Sequence, residues 1–318
     1  MKKIKSFCLV FFISLLFGCK TPPITTLIEN KEFQPSINNS KKPLQNKNLK
    51  IYFPEFYHAD GSVINGDGIL IILPDEKVLV IDGFMPEAAN QYINFIKSFG
   101  ITKIDYLVAT HYHSDHIGTF SELIKHFEIR QFYSNGTPVN TKTSNNLVQI
   151  LNKSSFPQKV LKAGDKLTFS ENCYIDVLWP NLSEAEKHNI YNNPGKTAAL
   201  VNLSSLVLKL HYSDFSIIFP GDIYKKGDSQ LSKMYGKSLK ADILKAPHHG
   251  EWYTANNFKF IKNVSPDYAI IQDNRYITKI ISSLYKAAGS KILYRLTPGF
   301  ILIESDGLKY KISEETFK

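Results

Sequence analysis

The chain has 318 residues, 43% of them hydrophobic, which is enough for one large folded domain or two small ones. Three cysteines are too few for a disulfide framework. Most of the formal charge of +9 sits in the first 50 residues, which carry nine lysines and two glutamates, so the remainder does not demand a nucleic-acid-binding surface.

At the N-terminus, Lys2, Lys3 and Lys5 precede an apolar run from Phe7 to Phe17, followed by Gly18-Cys19. That run is shorter than the roughly 20 residues needed to span a bilayer core about 30 Å thick, so residues 1–19 read as an export signal. Leu16-Phe17-Gly18-Cys19 resembles a bacterial lipobox, which implies that Cys19 is lipidated and becomes the mature N-terminus. The protein is then expected to be membrane-anchored on the periplasmic or extracellular side. Residues 20–50 are rich in Thr, Pro, Asn, Lys and Ser without an apolar period, and read as a flexible tether. The folded domain is expected over residues 51–318. Cys173 is left as a lone thiol of the buried, inert kind.

Within the domain, Ile69–Leu73 and Val78–Ile81 are apolar runs around Pro74-Asp75-Glu76-Lys77 and predict a hairpin. Pro86–Phe99 has helical spacing and stops at Gly100. Tyr106–Ala109 predicts a buried strand, and Thr119–His126 a short helix. Leu206–His211 and Phe215–Phe219 predict a second hairpin, with Pro220-Gly221-Asp222 next. Asp242–Lys245, Tyr268–Ile271, Lys291–Tyr294 and Phe300–Glu304 read as strands, with a helix over Ile277–Ala288. This alternation predicts a mixed α/β (α+β) sheet system with helices outside. The Asp- and His-bearing turns follow apparent strand ends, where sites gather on one rim of a sheet scaffold.

Thr110-His111-Tyr112-His113-Ser114-Asp115-His116 concentrates three histidines and an aspartate in six positions. Imidazole nitrogen and carboxylate oxygen suit zinc and similar divalent ions. On an extended loop His111, His113 and Asp115 share one side, and His116 breaks that period as a turn around a metal pair requires.

This segment resembles the HxHxDH signature of metallo-β-lactamase-fold hydrolases, and the resemblance extends over most of residues 51–318. Asp82, closing Leu79-Val80-Ile81-Asp82-Gly83, matches the aspartate that supports the metal loop. Asp222 in Phe219-Pro220-Gly221-Asp222 matches the carboxylate that bridges both metals. His248 in Ala246-Pro247-His248-His249-Gly250 matches the last histidine ligand. The resemblance implies a four-layer αββα sandwich holding two divalent metal ions, expected to be Zn²⁺, with Mn²⁺ as the alternative metal. More narrowly, Asn202-Leu203-Ser204-Ser205-Leu206-Val207-Leu208, Lys245–Gly250 and Asn274-Arg275-Tyr276 look like the hydrolase domain of the ComEC competence-protein type.

The chain also departs from the pattern. Most superfamily members carry another histidine between the HxHxDH loop and the bridging aspartate; here His126, His188 and His211 read as non-ligands, and Asn202 is the candidate for that place. The resemblance then implies His111, His113 and Asp222 for the first metal, and Asp115, His116, His248 and Asp222 for the second. His249 is the alternative last ligand, or an acid touching substrate. Glu251 stands where serine is common, and Ile277-Thr278 where His-Pro is common after Asn-x-Tyr.

A divalent metal lowers the pKa of its water from about 15.7 towards about 7, and Asp115 or Asp222 is placed to hold the resulting hydroxide in line. Phosphoesters suit such a site because their transition state spreads anionic charge. Extracellular nucleic acid or a phosphate-bearing surface polymer is the expected substrate, and no protein partner is expected. Lactone, lactam or thioester hydrolysis is the alternative enzyme reading, and a surface-tethered binding protein with a non-catalytic metal site is the alternative outside enzymes. An iron redox role is disfavoured because the His-x-Glu pattern is missing.

Overall fold

A computed structural model describes residues 48–181, 183–192 and 198–317. The expected export signal, Cys19 and nearly all of the expected tether lie outside the described residues. The first strand, Leu49–Glu55, starts two residues before the expected boundary, because Leu49 joins Ile51 and Phe53 in the core between the sheets.

The runs Ile69–Ile72 and Val78–Ile81 pair antiparallel, with Ile69 opposite Ile81 and Ile72 opposite Val78. They are apolar on both faces because both faces are covered. Ile71, Leu79 and Ile81 point to one side, where Leu208, Leu210, Ile217 and Phe219 of a second sheet meet them. Leu70, Val78 and Val80 point to the other, against Tyr92, Ile96, Phe120 and Leu123 of the helices Ala89–Ser98 and Phe120–His126. The second sheet repeats the scheme on its own outer face. There Val207, Ile218, Leu244 and Ala269 pack with Leu231, Phe260, Ile281 and Tyr285 of the helices Lys225–Tyr235, Phe258–Val264 and Lys279–Ala288. Three apolar interiors thus separate helix, sheet, sheet and helix, the four-layer sandwich that the motifs imply.

Among the described residues the first sheet runs, edge to edge, Tyr310–Glu315, Gly299–Ser305, Leu49–Glu55, Ile69–Ile72, Val78–Ile81, Tyr106–Ala109, Phe132–Ser134 and Gln158–Val160. The second runs Lys291–Leu293, Tyr268–Ile270, Ile243–Lys245, Phe215–Phe219, Val207–Tyr212, Cys173–Trp179 and Lys166–Ser170. Each sheet has an antiparallel part and a parallel part. Asp82 and Thr110 follow neighbouring parallel strands of the first sheet, while Pro220 and Ala246 follow neighbouring parallel strands of the second. The loops leaving these four strand ends converge on one edge of the sandwich, as binding loops do at the carboxyl ends of parallel strands.

Thr141, Asn257 and Thr278 accept backbone N–H groups at the starts of their helices, and Gly289 ends the last helix in the left-handed region at φ 90°. Leu79 is fully buried between the sheets. A Leu79→Ala variant is expected to lose about 2–5 kcal/mol of unfolding free energy, read by urea titration. A loss below about 1 kcal/mol would contradict close packing at that point of the interface.

Candidate metal centre

Asp82 adopts a left-handed backbone (φ 59°) just past its strand, which turns its carboxylate towards the next loop. One oxygen accepts the Thr110 N–H at 2.8 Å; the other accepts the Thr110 hydroxyl at 2.7 Å and His116 Nδ1 at 2.8 Å. With its hydroxyl proton committed to Asp82, Thr110 Oγ1 accepts His111 Nδ1–H at 3.2 Å. Asp82 thereby sets both imidazoles, leaving Nε2 of each to face inward.

Those inward nitrogens meet Asp222. Its Oδ2 lies 3.1 Å from His116 Nε2, 3.9 Å from His111 Nε2 and 3.6 Å from His249 Nε2. His113 Nδ1 sits 3.1 Å from His111 Nε2, and Asp115 Oδ2 sits 3.4 Å from His249 Nε2. Two donor groups result. His111, His113 and Asp222 offer atoms within 4.8 Å of one another, and so do Asp115, His116, Asp222 and His249. Asp222 belongs to both. His116 Nε2, His249 Nε2 and Asp222 Oδ1 are buried without any hydrogen-bond partner, an expensive arrangement unless something else occupies the space they face.

Charge points the same way. Burial disfavours a proton on His116, but Asp222, Asp82 and Asp115 override it and hold its pKa well above the usual histidine range. Burial opposes charge on His249 too, yet Asp67 and Asp222 push its pKa up to about 10. Asp222 is held well below the carboxylate range, against its burial, by His116, His249 and His248. The carboxylates therefore draw protons onto His116 and His249, whereas burial holds His111, His113 and His248 below the usual histidine range. A divalent ion bound among these donors would take the place of those protons, and the nitrogen–oxygen donor set fits zinc or a similar ion.

Of the two histidines left open for the last ligand place, the structure brings the alternative, His249, into a donor group. His249 joins Asp115, His116 and Asp222, while His248 belongs to neither donor group. Both residues are left-handed, with φ of 50° and 54°, so the turn sends the two rings to different places. His248 Nδ1 bonds Thr254 Oγ1 at 2.7 Å, and Thr254 donates to Glu251. Its Nε2 lies 3.4 Å from Asn202 Nδ2 and 3.7 Å from Asp222. Asn202 thus lies beside His248, with its buried Oδ1 unpartnered. His249 is enclosed, with Nδ1 on Asp67 Oδ1 at 3.0 Å. His126, His188 and His211 contribute to neither group: His126 bonds its own helix at Glu122 O, His188 meets Asn192, and His211 stacks on Tyr174.

Asp67, which the sequence did not single out, and Lys245 and Tyr276, which it places only within longer segments and without a role, complete the surroundings. Asp67 lies between Gly66 and Gly68, a turn signal ahead of a strand that hints at a tight backbone approach. Lys245 is a lysine closing an apolar strand, and its ammonium is buried on Asp67 Oδ2 at 2.5 Å. Tyr276 stacks on His249 with centroids 5.8 Å apart and planes at 19°.

The family described as the metallo-beta-lactamase superfamily matches residues 64–271, a span that contains both donor groups. The chain belongs to that superfamily. Its members are generally metal-dependent hydrolases that typically hold two ions. Among curated proteins, the chain is 29% identical over 188 residues to ComE operon protein 3 of Bacillus subtilis, covering 58% of this chain and 22% of that protein. It is 24% identical over 233 residues to Competence protein ComA of Neisseria gonorrhoeae, covering 72% of this chain and 29% of that one. The chain therefore spans under a third of the curated relatives' length, and the ComEC-type resemblance applies to this part of them. Among solved structures, CmlA, a diiron beta-hydroxylase from Streptomyces venezuelae, superposes with a TM-score of 0.48 at 12% identity, covering 86% of this chain and 55% of that one. Among the described residues no helix is long and apolar enough to cross a membrane.

Beside the family's metal motifs, the loop carrying Tyr276 is pinned to the first strand by Glu55, whose Oε1 accepts the Asp273 N–H at 2.9 Å. Burial, with Asp273 and Asp67 adding to it, pushes the Glu55 pKa up to about 8 from an ordinary 4.5. The folded protein therefore holds a proton there that the unfolded chain releases above about pH 4.5. This contribution is fully present at lower pH and is lost as pH rises through about 8. Relative to wild type, Glu55→Gln is expected to gain stability as pH rises from about 4.5 to about 8, by up to about 1.4 kcal/mol per pH unit. Paired urea titrations read the difference; a gap that stays constant with pH would refute the buried acid.

Proposed function

We propose that this protein is an exported hydrolase that cleaves phosphoesters with two divalent ions. The observation that carries the reading is the pair of donor groups sharing Asp222, with buried nitrogens and an oxygen left unpartnered where they converge. His111, His113 and Asp222 would hold the first ion, and Asp115, His116, His249 and Asp222 the second. Bound there, zinc or manganese supplies a hydroxide nucleophile at neutral pH and positive charge to the transition state. Asp115 has 21% of its side chain exposed, which suits it to orient the attacking water towards an entering substrate. Asp222, which belongs to both groups, would hold the two ions together. Asp82 keeps His111 and His116 in the tautomers that present Nε2.

The rim supports a phosphate-bearing substrate with planar parts, as nucleic acid has. Tyr224 and Tyr276 flank His248, with centroids 5.1 and 6.4 Å away. Trp252 contacts Tyr253, which is 71% exposed, and Lys225 lies 5.8 Å over the Trp252 ring. Arg275 is half exposed on the same loop as Tyr276, and its guanidinium is braced by Asp273. Cations and aromatic faces side by side suit phosphates and the bases between them.

Zinc- or manganese-loaded protein is expected to turn over bis-p-nitrophenyl phosphate, and to lose that activity with a chelator and regain it with metal. Asp115→Ala is expected to lower turnover by at least about 100-fold while the fold persists by circular dichroism. Protein that leaves the phosphodiester intact but opens nitrocefin or a lactone belongs to the alternative hydrolase class. Loaded protein inert on all of these is a binding protein with a structural metal site.

We also propose that Cys19 carries the membrane anchor, from its place after the Lys2–Lys5 cluster and the apolar run. Acyl chains contribute about 0.8 kcal/mol per buried CH₂, so more than one gives firm attachment. Labelled palmitate is expected to enter the wild-type protein in cells but not Cys19→Ser, which should leave the membrane fraction. Equal labelling of the two would remove the anchor.

A further inference from the structure

A buried lysine and a buried aspartate face each other at the sandwich edge. Lys245 Nζ donates to Asp67 Oδ2 at 2.5 Å and to the Ala246 carbonyl at 3.1 Å, and both side chains are almost wholly enclosed. Such a pair seldom strengthens a fold, because desolvating two charges offsets their attraction and apolar residues do as well. Its position gives another reason for it. The second Asp67 oxygen accepts His249 Nδ1 at 3.0 Å, which leaves His249 Nε2 facing Asp115 and Asp222.

The backbone of Asp67 is fixed as tightly as its side chain. Its N–H donates to the Asp115 carbonyl at 3.1 Å, and its carbonyl accepts the Phe84 N–H at 2.8 Å. That approach needs glycine before it. Gly66 has φ 118°, and a Cβ there would sit 2.0 Å from the Asp115 carbonyl oxygen. Asp67 belongs to the first sheet's loops, whereas Lys245 and His249 leave the second sheet. Asp82 holds His116 in the same manner, through Nδ1, but entirely within the first sheet.

We infer that Asp67 and Lys245 form a positioning pair that carries the geometry of the Asp115 loop across the sandwich to His249. Asp67 orients the ring, and Lys245 holds Asp67 in place through its second oxygen. The inference rests on reading His249 as a ligand of the second ion.

The test compares wild type, His249→Ala and the double variant Asp67→Asn/Lys245→Met, which leaves no lone charge buried. Each is titrated with Co²⁺ while its visible d–d absorption is followed. Wild type is expected to take up two ions, and His249→Ala to bind the second far more weakly. The double variant is expected to keep the first ion's affinity but bind the second about 10–100-fold more weakly, with an altered spectrum. Wild-type affinity and spectrum in the folded double variant would overturn the pair's role. Two tightly held ions in His249→Ala would instead overturn the ligand reading. A double variant that does not fold leaves the wild-type protein to decide. With ¹⁵N-labelled histidine and zinc bound, His249 is expected to show a protonated Nδ1 and a coordinating Nε2; the reverse assignment overturns the inference.

Discussion

Four carboxylates, those of Asp67, Asp82, Asp115 and Asp222, come together at one edge of this sandwich, where water cannot fully solvate them. Buried anions must find cations or donors, and most of the local structure around the edge supplies them. Asp82 is satisfied by Thr110 and His116 and Asp67 by Lys245 and His249, while Asp222 faces imidazoles from both sheets and keeps one oxygen unpartnered. The left-handed turns at Asp82, His248 and His249 are the backbone's response to that demand. Regular strands alone would not aim these groups at one another.

The arrangement is nearly symmetrical in logic though not in sequence. In each half of the second donor group an aspartate outside the group bonds Nδ1 of a histidine inside it. Imidazole orientation then depends on backbone placement rather than on chance rotamers. The first donor group is built differently, with His111 steered through the Thr110 hydroxyl. Asn202 and His248 stand beside it, and His248 is held by Thr254 and Glu251.

Much of this was legible in the sequence, for identifiable reasons. His111, His113, Asp115 and His116 are consecutive enough for spacing alone to reveal them, and Asp82 and Asp222 follow apolar runs of strand length. The hairpin of Ile69–Ile72 with Val78–Ile81 could be read because its faces are apolar throughout. The order of His248 and His249 could not, since it depends on two successive positive φ angles in residues other than glycine. The pairing of Asp67 with Lys245 was hidden for another reason: nothing in either segment points to the other, and only the facing of two sheets makes them partners. The helices Lys142–Lys153 and Lys225–Tyr235 escaped because their buried positions are sparse among polar residues. The strand Tyr310–Glu315 escaped because it lies at a sheet edge with no residue fully buried.

The donors are unevenly spread along the chain, and this bears on folding. His111 to His116 form a peptide able to hold an ion even when unfolded, whereas Asp222 and His249 arrive only once the second sheet has docked. Binding to the unfolded chain subtracts from the stabilisation that binding to the native state provides. On the proposed reading, an ion would thus raise global stability by less than its native affinity implies. Its larger effect would fall on partial opening, in which the sheets part at this edge while each remains intact. The metal would act as a clasp, slowing the breathing of one rim of the sandwich more than it raises the melting temperature.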